Sequence, residues 1–228
     1  MHGWAGQMNE VGDMYKRLAK HLSQRGIASI RVNIRGESEQ AASNYKLTST
    51  FASRLTDAHT GLTFLQETYP SIAKGAVGFS LGASTVIALA GQYPEHFKSI
   101  VLWSAGGNPN AVAKKLFSDE FSNTVLEKGE ATMKSWVDIT VTKQHLLGMT
   151  SKDIFEPFKA YTGALLCLRG TQDHILDIDL KIINSASGNR EEYRHIGNAD
   201  HIFDVLNPST NYDKRVLSQT VSWLEDTL

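Results

Sequence analysis

Apolar residues along this chain recur with two alternating periods. Val11, Met14, Tyr15, Leu18 and Leu22 follow the three-and-four spacing of one helix face, and Gly26 beyond Arg25 supplies a stop. The stretch IASIRVNI at 27–34 is short, rich in β-branched residues and bounded by glycines, which predicts a buried strand. Residues 37–50 are polar and read as a loop. Phe51, Leu55, Ala58, Leu62, Leu65 and Tyr69 then mark a second helix closed by Pro70, and GAVGFS from Gly75 predicts a short buried strand. A third helix runs from about Leu81 to Tyr93, where Pro94 ends it. SIVLWSA (99–105), GALLCLRG (163–170) and EEYRHIG (191–197) read as further strands, with helices near 178–187 and 212–227. The alternation of strand and helix predicts the α/β class, a mostly parallel sheet covered on both faces.

One segment breaks this rhythm. More than fifty residues separate Ala105 from Gly163, too many for a crossover loop in a compact domain, so about 106–158 is an insertion. It carries Phe117, Phe121, Leu126, Met133, Trp136, Leu146, Leu147 and Phe155, and SWVDITVT within it alternates as a strand does. We read it as a lid on the carboxyl edge of the sheet, where open α/β sheets bind ligands, with a structural excursion packed on the side as the alternative. Its aromatic residues either line a pocket or form its own small core.

Composition narrows the function. A chain of 228 residues supports one substantial core, and we expect a single domain over 1–228. The formal charge of −1 gives no electrostatic reason to expect nucleic acid or an anionic membrane as partner. The longest apolar runs fall far short of the roughly 20 residues that span a bilayer. The single cysteine, Cys167, lies within an apolar run, so it forms no intrachain disulfide and reads as a buried, inert thiol, which favours a cytoplasmic location. A small-molecule substrate is the partner to expect, with a homodimer left open.

GFSLG, Gly78 to Gly82, has the form G-x-S-x-G at the junction of a predicted strand and helix. A sharp turn there projects Ser80 from the sheet edge, and the positive end of the following helix favours a developing oxyanion. A serine hydroxyl needs a base, itself oriented by an acid. Asp173 in LRGTQDHIL follows the end of a predicted strand, and His201 in IGNADHIF lies in the loop after the last strand. Asp177, Asp179, Asp200 and Asp204 compete with Asp173 for the acid, and His174 and His195 compete with His201 for the base. The chain order Ser80, Asp173, His201, each after a strand, favours those three. Zinc is the alternative reading of DHILDID and NADH, against solvated loop charges. No H-E-x-x-H or paired-cysteine spacing supports it, and neither a metal nor another cofactor is expected.

With these motifs in place the sequence resembles the α/β-hydrolase superfamily, and more narrowly bacterial serine esterases similar to cinnamoyl (feruloyl) esterases. The resemblance rests on HGWAGQMNE, GIASIRVNIRGESE, GFSLG, LRGTQD and NADHIF and covers nearly the whole chain. It implies that the backbone N–H groups of Trp4 and Leu81 form an oxyanion hole, that His2 and Gly3 support the loop carrying Trp4, and that the insertion at about 106–158 is a cap shaping an acyl pocket. The sequence departs from relatives at Asn33, where aspartate is frequent, in a shorter turn after Arg35, and at Arg169, a position usually apolar or histidine. Relatives also have two or three strands before the H-G loop. The expectation is therefore that Met1 is internal to a longer reading frame or that the fragment was cut there, with a rearranged or swapped sheet as the alternative. The implied activity is carboxylic ester hydrolysis, with aryl or hydroxycinnamate esters as a candidate class. A peptidase, a thioesterase and a non-catalytic ligand-binding protein of the same fold are the competing readings.

Overall fold

The computed structural model describes residues 1–37, 44–150, 153–175 and 177–228, without the side chain of Asn44. Its elements are α1 (Met14–Ser23), β1 (Asn44–Leu47), α2 (Phe51–Thr68), β2 (Gly75–Phe79), α3 (Leu81–Gln92), β3 (Ser99–Trp103), α4 (Pro109–Leu116) and α5 (Asp119–Lys128). There follow β4 (Glu130–Lys134), β5 (Asp138–Thr142), α6 (Lys143–Gly148), α7 (Phe155–Phe158), β6 (Ala164–Gly170), α8 (Asp179–Ile183), β7 (Glu191–Ile196) and α9 (Tyr212–Thr227). Short 3₁₀ turns precede α1 and follow α3.

The central sheet has the order β2-β3-β6-β7, and all its pairings are parallel. Phe79 pairs with Trp103 and Trp103 with Leu168, so the carboxyl ends of β2 and β3 stand level with the end of β6. The strand period of two sorts the side chains. Ile100, Leu102, Leu165 and Cys167 pack on one face with α2 and α3, while Val101, Trp103, Leu166 and Leu168 pack on the other with α1 and α9. The Trp103 indole satisfies its N–H on Thr220 Oγ1 (2.9 Å), which fixes α9 against the second face.

Two local expectations fail for the same reason: a strand is defined by its neighbour as well as by its residues. Segment 27–34 is not a strand, and apart from the buried Ile34 its residues are exposed or half-buried. It stands across from β2, with a cavity of about 460 Å³ lined by Ile27, Ile30, Val32, Gly75, Ala76 and Val77. No other described strand lies on that flank of β2, so the β-branched run has no ladder to join. Conversely, the polar stretch 37–50, of which 38–43 lies outside the described residues, contains β1. That strand pairs in parallel with β5, from Asn44 with Asp138 to Leu47 with Val141.

The insertion thus contributes β4 and β5 to a second sheet of order β1-β5-β4. Phe117, Val125, Ile139 and Val141 form a small core there with Leu47 and Ala5, and Trp4 and Phe121 pack on its border. Phe117 and Phe121 therefore serve this core, while Trp136 stays 62 % exposed. None of the described helices is long and apolar enough to cross a membrane.

Candidate active site

The turn between β2 and α3 is built around two glycines. A Cβ on Gly78 would meet the backbone of Gly82 and Ala83 within 2.8 Å, and one on Gly82 would lie 2.0 Å from the Met1 carbonyl and 2.5 Å from that of His2. Gly78 thus seats the helix on the strand, and Gly82 lets the chain of residues 1–4 pass over the start of the helix. Ser80 between them takes φ 52°, ψ −117°, a backbone state that costs a non-glycine residue roughly 1 to 3 kcal/mol and turns its side chain off the sheet edge. Its own N–H continues the ladder to Trp103 O (2.9 Å).

His201 and Asp173 reach this turn from the loops after β7 and β6. His201 Nδ1 lies 2.8 Å from Asp173 Oδ1, and its Nε2 lies 3.2 Å from Ser80 Oγ. Because the carboxylate accepts from Nδ1–H, Nε2 is left to accept the Ser80 hydroxyl proton. Burial opposes the charge on Asp173, but the hydrogen bond and charge of His201, the Ile175 N–H and Arg169 outweigh it and hold the carboxyl below the usual aspartate range. Phe79 packs against the His201 ring at 5.1 Å.

The rival residues take other places. Asp200 accepts the N–H groups of Ile202 (3.0 Å) and Asp204 (2.7 Å), and Asp204 accepts that of Asp200 (3.2 Å), so these two knit the loop that presents His201. Asp179 is buried in a two-point bond with Arg169, at 3.0 Å for each contact. Exposed His195 pairs with Asp177 at 3.2 Å, and His174 meets the His201 ring edge-on at 5.0 Å. Among the described residues two groups have metal-ligand spacing, Asp173–His174–His201 and Asp177–Asp179–His195. In the first the acid and the central imidazole already bind each other. In the second the Arg169 guanidinium, 3.0 Å from Asp179 and 3.6 Å from Asp177, already supplies the positive charge.

The loop carrying Trp4 lies directly over this turn; a Cβ on Gly3 would stand 3.5 Å from Ser80 Cβ. Among the described residues neither the Trp4 N–H nor the Leu81 N–H donates a hydrogen bond. His2 accepts the Ile34 N–H on Nε2 (3.1 Å), so its proton sits on Nδ1 and is donated to Gly3 O (2.9 Å). Burial, aided by nearby Arg54, lowers its pKa to about 4 and keeps the ring neutral. The Gly3 N–H donates to Glu10 Oε2 (2.8 Å).

Four groups around this loop escaped the sequence reading: Glu10, Glu37, Arg54 and His145. Arg54 carried a signal, since it sits three residues after Phe51 and four before Ala58, on the apolar face of α2. A charge in that stripe needs a buried partner, which is Glu37 at 2.6 Å. Arg169, noted only as a departure, donates to Asp173 Oδ2 at 2.9 Å.

Residues 2–154 match the family model for serine aminopeptidase, S33 (Hydrolase_4). Est1E of Butyrivibrio proteoclasticus with bound ferulic acid is similar in fold, with TM-score 0.75 and 15 % identity over 98 % of this chain and 87 % of that one. A metagenome-derived lipolytic enzyme gives TM-score 0.72 and 15 % identity over 99 % and 91 % of the two chains. The monoacylglycerol lipase of Paleococcus ferrophilus gives 0.69 and 14 % over 100 % and 93 %. No curated protein sequence matches significantly. With two thirds of its length matched, the chain belongs to the S33 serine aminopeptidase family of hydrolases, on the α/β-hydrolase fold.

Proposed function

We propose that the protein is a serine hydrolase that cleaves carboxylic esters through an acyl-enzyme. Ser80 Oγ attacks the carbonyl carbon while His201 Nε2 takes its proton, and Asp173 fixes the imidazole tautomer and stabilises the imidazolium. The N–H groups of Trp4 and Leu81 receive the oxyanion. Collapse breaks the bond to the alcohol oxygen, which leaves with the proton from His201. Water then attacks the acyl-enzyme, gives its proton to His201, and releases the acid as Ser80 is restored. The observation that carries this reading is the unbroken chain from Ser80 Oγ through His201 to Asp173, 3.2 Å and 2.8 Å, beside two N–H groups that donate to nothing among the described residues.

The insertion serves as the cap, and its exposed Trp136, edge-on to Trp4 at 6.2 Å, offers an aromatic wall to the acyl group. This supports aryl or hydroxycinnamate esters, as does a fold neighbour that binds ferulic acid. The family description favours a second reading, hydrolysis of aminoacyl amides. That substrate brings a free ammonium, and the carboxylates beside the site, Glu10, Glu37 and Asp173, are each engaged by protein donors, which favours a neutral acyl group.

A fluorophosphonate probe with a panel of short aryl esters, hydroxycinnamate esters and aminoacyl anilides tests the reading. Labelling of Ser80 with ester turnover is expected. Labelling with turnover of the anilides alone reassigns the protein as a peptidase, and absence of labelling leaves a ligand-binding protein of the same fold.

A further inference from the structure

The Arg54 guanidinium is fully buried and bonds one side of the candidate oxyanion hole directly and the other through Thr85. Nη2 donates to the His2 carbonyl (2.6 Å), on the loop that carries the Trp4 N–H. Nε donates to Thr85 Oγ1 (3.3 Å), whose own hydroxyl bonds the Leu81 carbonyl (2.9 Å) at the start of α3. Nη1 donates to Glu37 Oε1 (2.6 Å), and the other oxygen of Glu37 accepts the Ala5 N–H (3.2 Å). One ion pair therefore holds the backbone on both sides of Trp4, the carbonyl two residues before and the N–H one residue after.

The Trp4 side chain is held by a second branch of the same network. Its indole N–H donates to His145 Nε2 (2.9 Å), so the imidazole proton is on Nδ1 and is donated to Ser49 O (2.8 Å). The Ser49 hydroxyl in turn donates to Glu37 Oε1 (2.6 Å). His145 belongs to α6 in the insertion, so the insertion and the loop are joined through buried polar bonds.

We propose that Arg54, oriented by Glu37, is a positioning residue that sets the separation of the Trp4 and Leu81 N–H groups, with His145 fixing Trp4 from the insertion. This rests on the ester-hydrolase reading for its kinetic consequence. A planar fork can bond three partners in fixed directions, whereas a lysine ammonium on a flexible stem cannot. Arg54→Lys therefore keeps the charge beside Glu37 and loses the geometry.

With p-nitrophenyl acetate, Arg54→Lys is expected to lower kcat by about 100-fold with KM within a few-fold of the parent, the size of effect that a misplacement of about 1 Å brings. The loss is smaller with the thionoester, whose sulfur accepts hydrogen bonds poorly. Trp4→Phe and His145→Leu each lower kcat by about 10-fold, and the double variant falls no further than either single one, because both remove one bond. Should Arg54→Lys fold poorly, Arg54→Met with Glu37→Gln removes both charges together and is expected to show the same loss in kcat.

Amide exchange at Ala5 and the Trp4 indole N–H resonance report the loop without catalysis. Faster Ala5 exchange in Arg54→Lys and a shifted indole resonance in His145→Leu, at unchanged global unfolding, are expected. Unchanged exchange and resonance, or Arg54 variants with parental kcat on an enzyme whose Ser80 labels, overturn the proposal. If Ser80 of the parent does not label while exchange and resonance respond as stated, the clamp stands and the hydrolase reading falls.

Discussion

Arg169 Nη1 lies 2.9 Å from Asp173 Oδ2, the carboxylate oxygen that His201 does not use. The same guanidinium holds the Ala105 carbonyl at 2.6 Å and both oxygens of Asp179, so Asp173 is pinned from the sheet side while its other oxygen faces the imidazole. Arg169→Met leaves Asp179 as a buried, unpaired carboxylate, which costs about 3 to 5 kcal/mol, and frees Asp173 to turn. Thermal unfolding is expected to show the loss of stability. Adding Asp179→Asn restores most of the unfolding temperature but leaves kcat about 10-fold down, a separation that unfolding and rate measurements on the pair of variants check.

Removing the Ser80 hydroxyl is expected to lower turnover by about 10⁴-fold or more with the fold intact. The left-handed backbone at this position, φ 52°, adds a second effect. Ser80→Gly relieves the strain that Ser80→Ala retains, so the glycine variant unfolds at the higher temperature, by an amount corresponding to about 1 kcal/mol. Equal unfolding temperatures would mean that the turn stores no strain.

Acid sensitivity follows from two buried histidines. Burial lowers the pKa of His2 and of His145 to about 4, so each is neutral in the folded protein where the unfolded chain, titrating near 6.5, is already protonated. The unfolded state binds more protons between those values, so stability falls as pH drops from about 6.5 to about 4 and this loss levels off below that. Each histidine contributes of the order of 3 kcal/mol over the window. Asp173, held below the usual aspartate range, adds a loss at lower pH as its bonds to His201 and Arg169 are protonated away. Urea unfolding of His145→Gln at pH 7 and pH 4.5 is expected to show a smaller decline than the parent.

Trp136→Ala tests the proposed aromatic wall of the acyl pocket apart from the chemistry. The ring is exposed and packs edge-on to Trp4, so its removal leaves the small core of the insertion in place. KM for a hydroxycinnamate ester is expected to rise by about 10-fold, the worth of one aromatic contact, while KM and kcat for acetate esters stay near the parent values. Equal changes with both esters would remove Trp136 from the acyl pocket.

The helices outside the insertion, α1, α2, α3, α8 and α9, and the strands β2, β3, β6 and β7 are legible because their apolar periods are local properties, whereas α4 to α7 within the insertion carry no period that the sequence reading separates. Strand pairing is not a local property. Four residues at 44–47 in a polar stretch become β1 only because β5, almost a hundred residues later, offers a ladder, and the β-branched run at 27–34 has no such neighbour among the described residues. At the site, Ser80, Asp173 and His201 could be read from their places after strands. The groups that hold the loop could not, because Glu37, Ser49, Arg54 and His145 share no spacing in sequence and meet only through packing. Arg54 alone left a trace, as a charge on the buried face of α2.

The bonds that assemble the site close very long loops. Ser80 and His201 are 121 residues apart, Trp4 and His145 141, and His2 and Arg54 52. Contacts of this kind form late, after the entropy of closing such loops has been overcome, whereas α1, α3 and α9 can form from local contacts. During refolding, helical signal therefore returns before turnover does. In the proposed reaction turnover is a readout of completed topology, and a nascent or partly folded chain can be rich in secondary structure while remaining chemically inert.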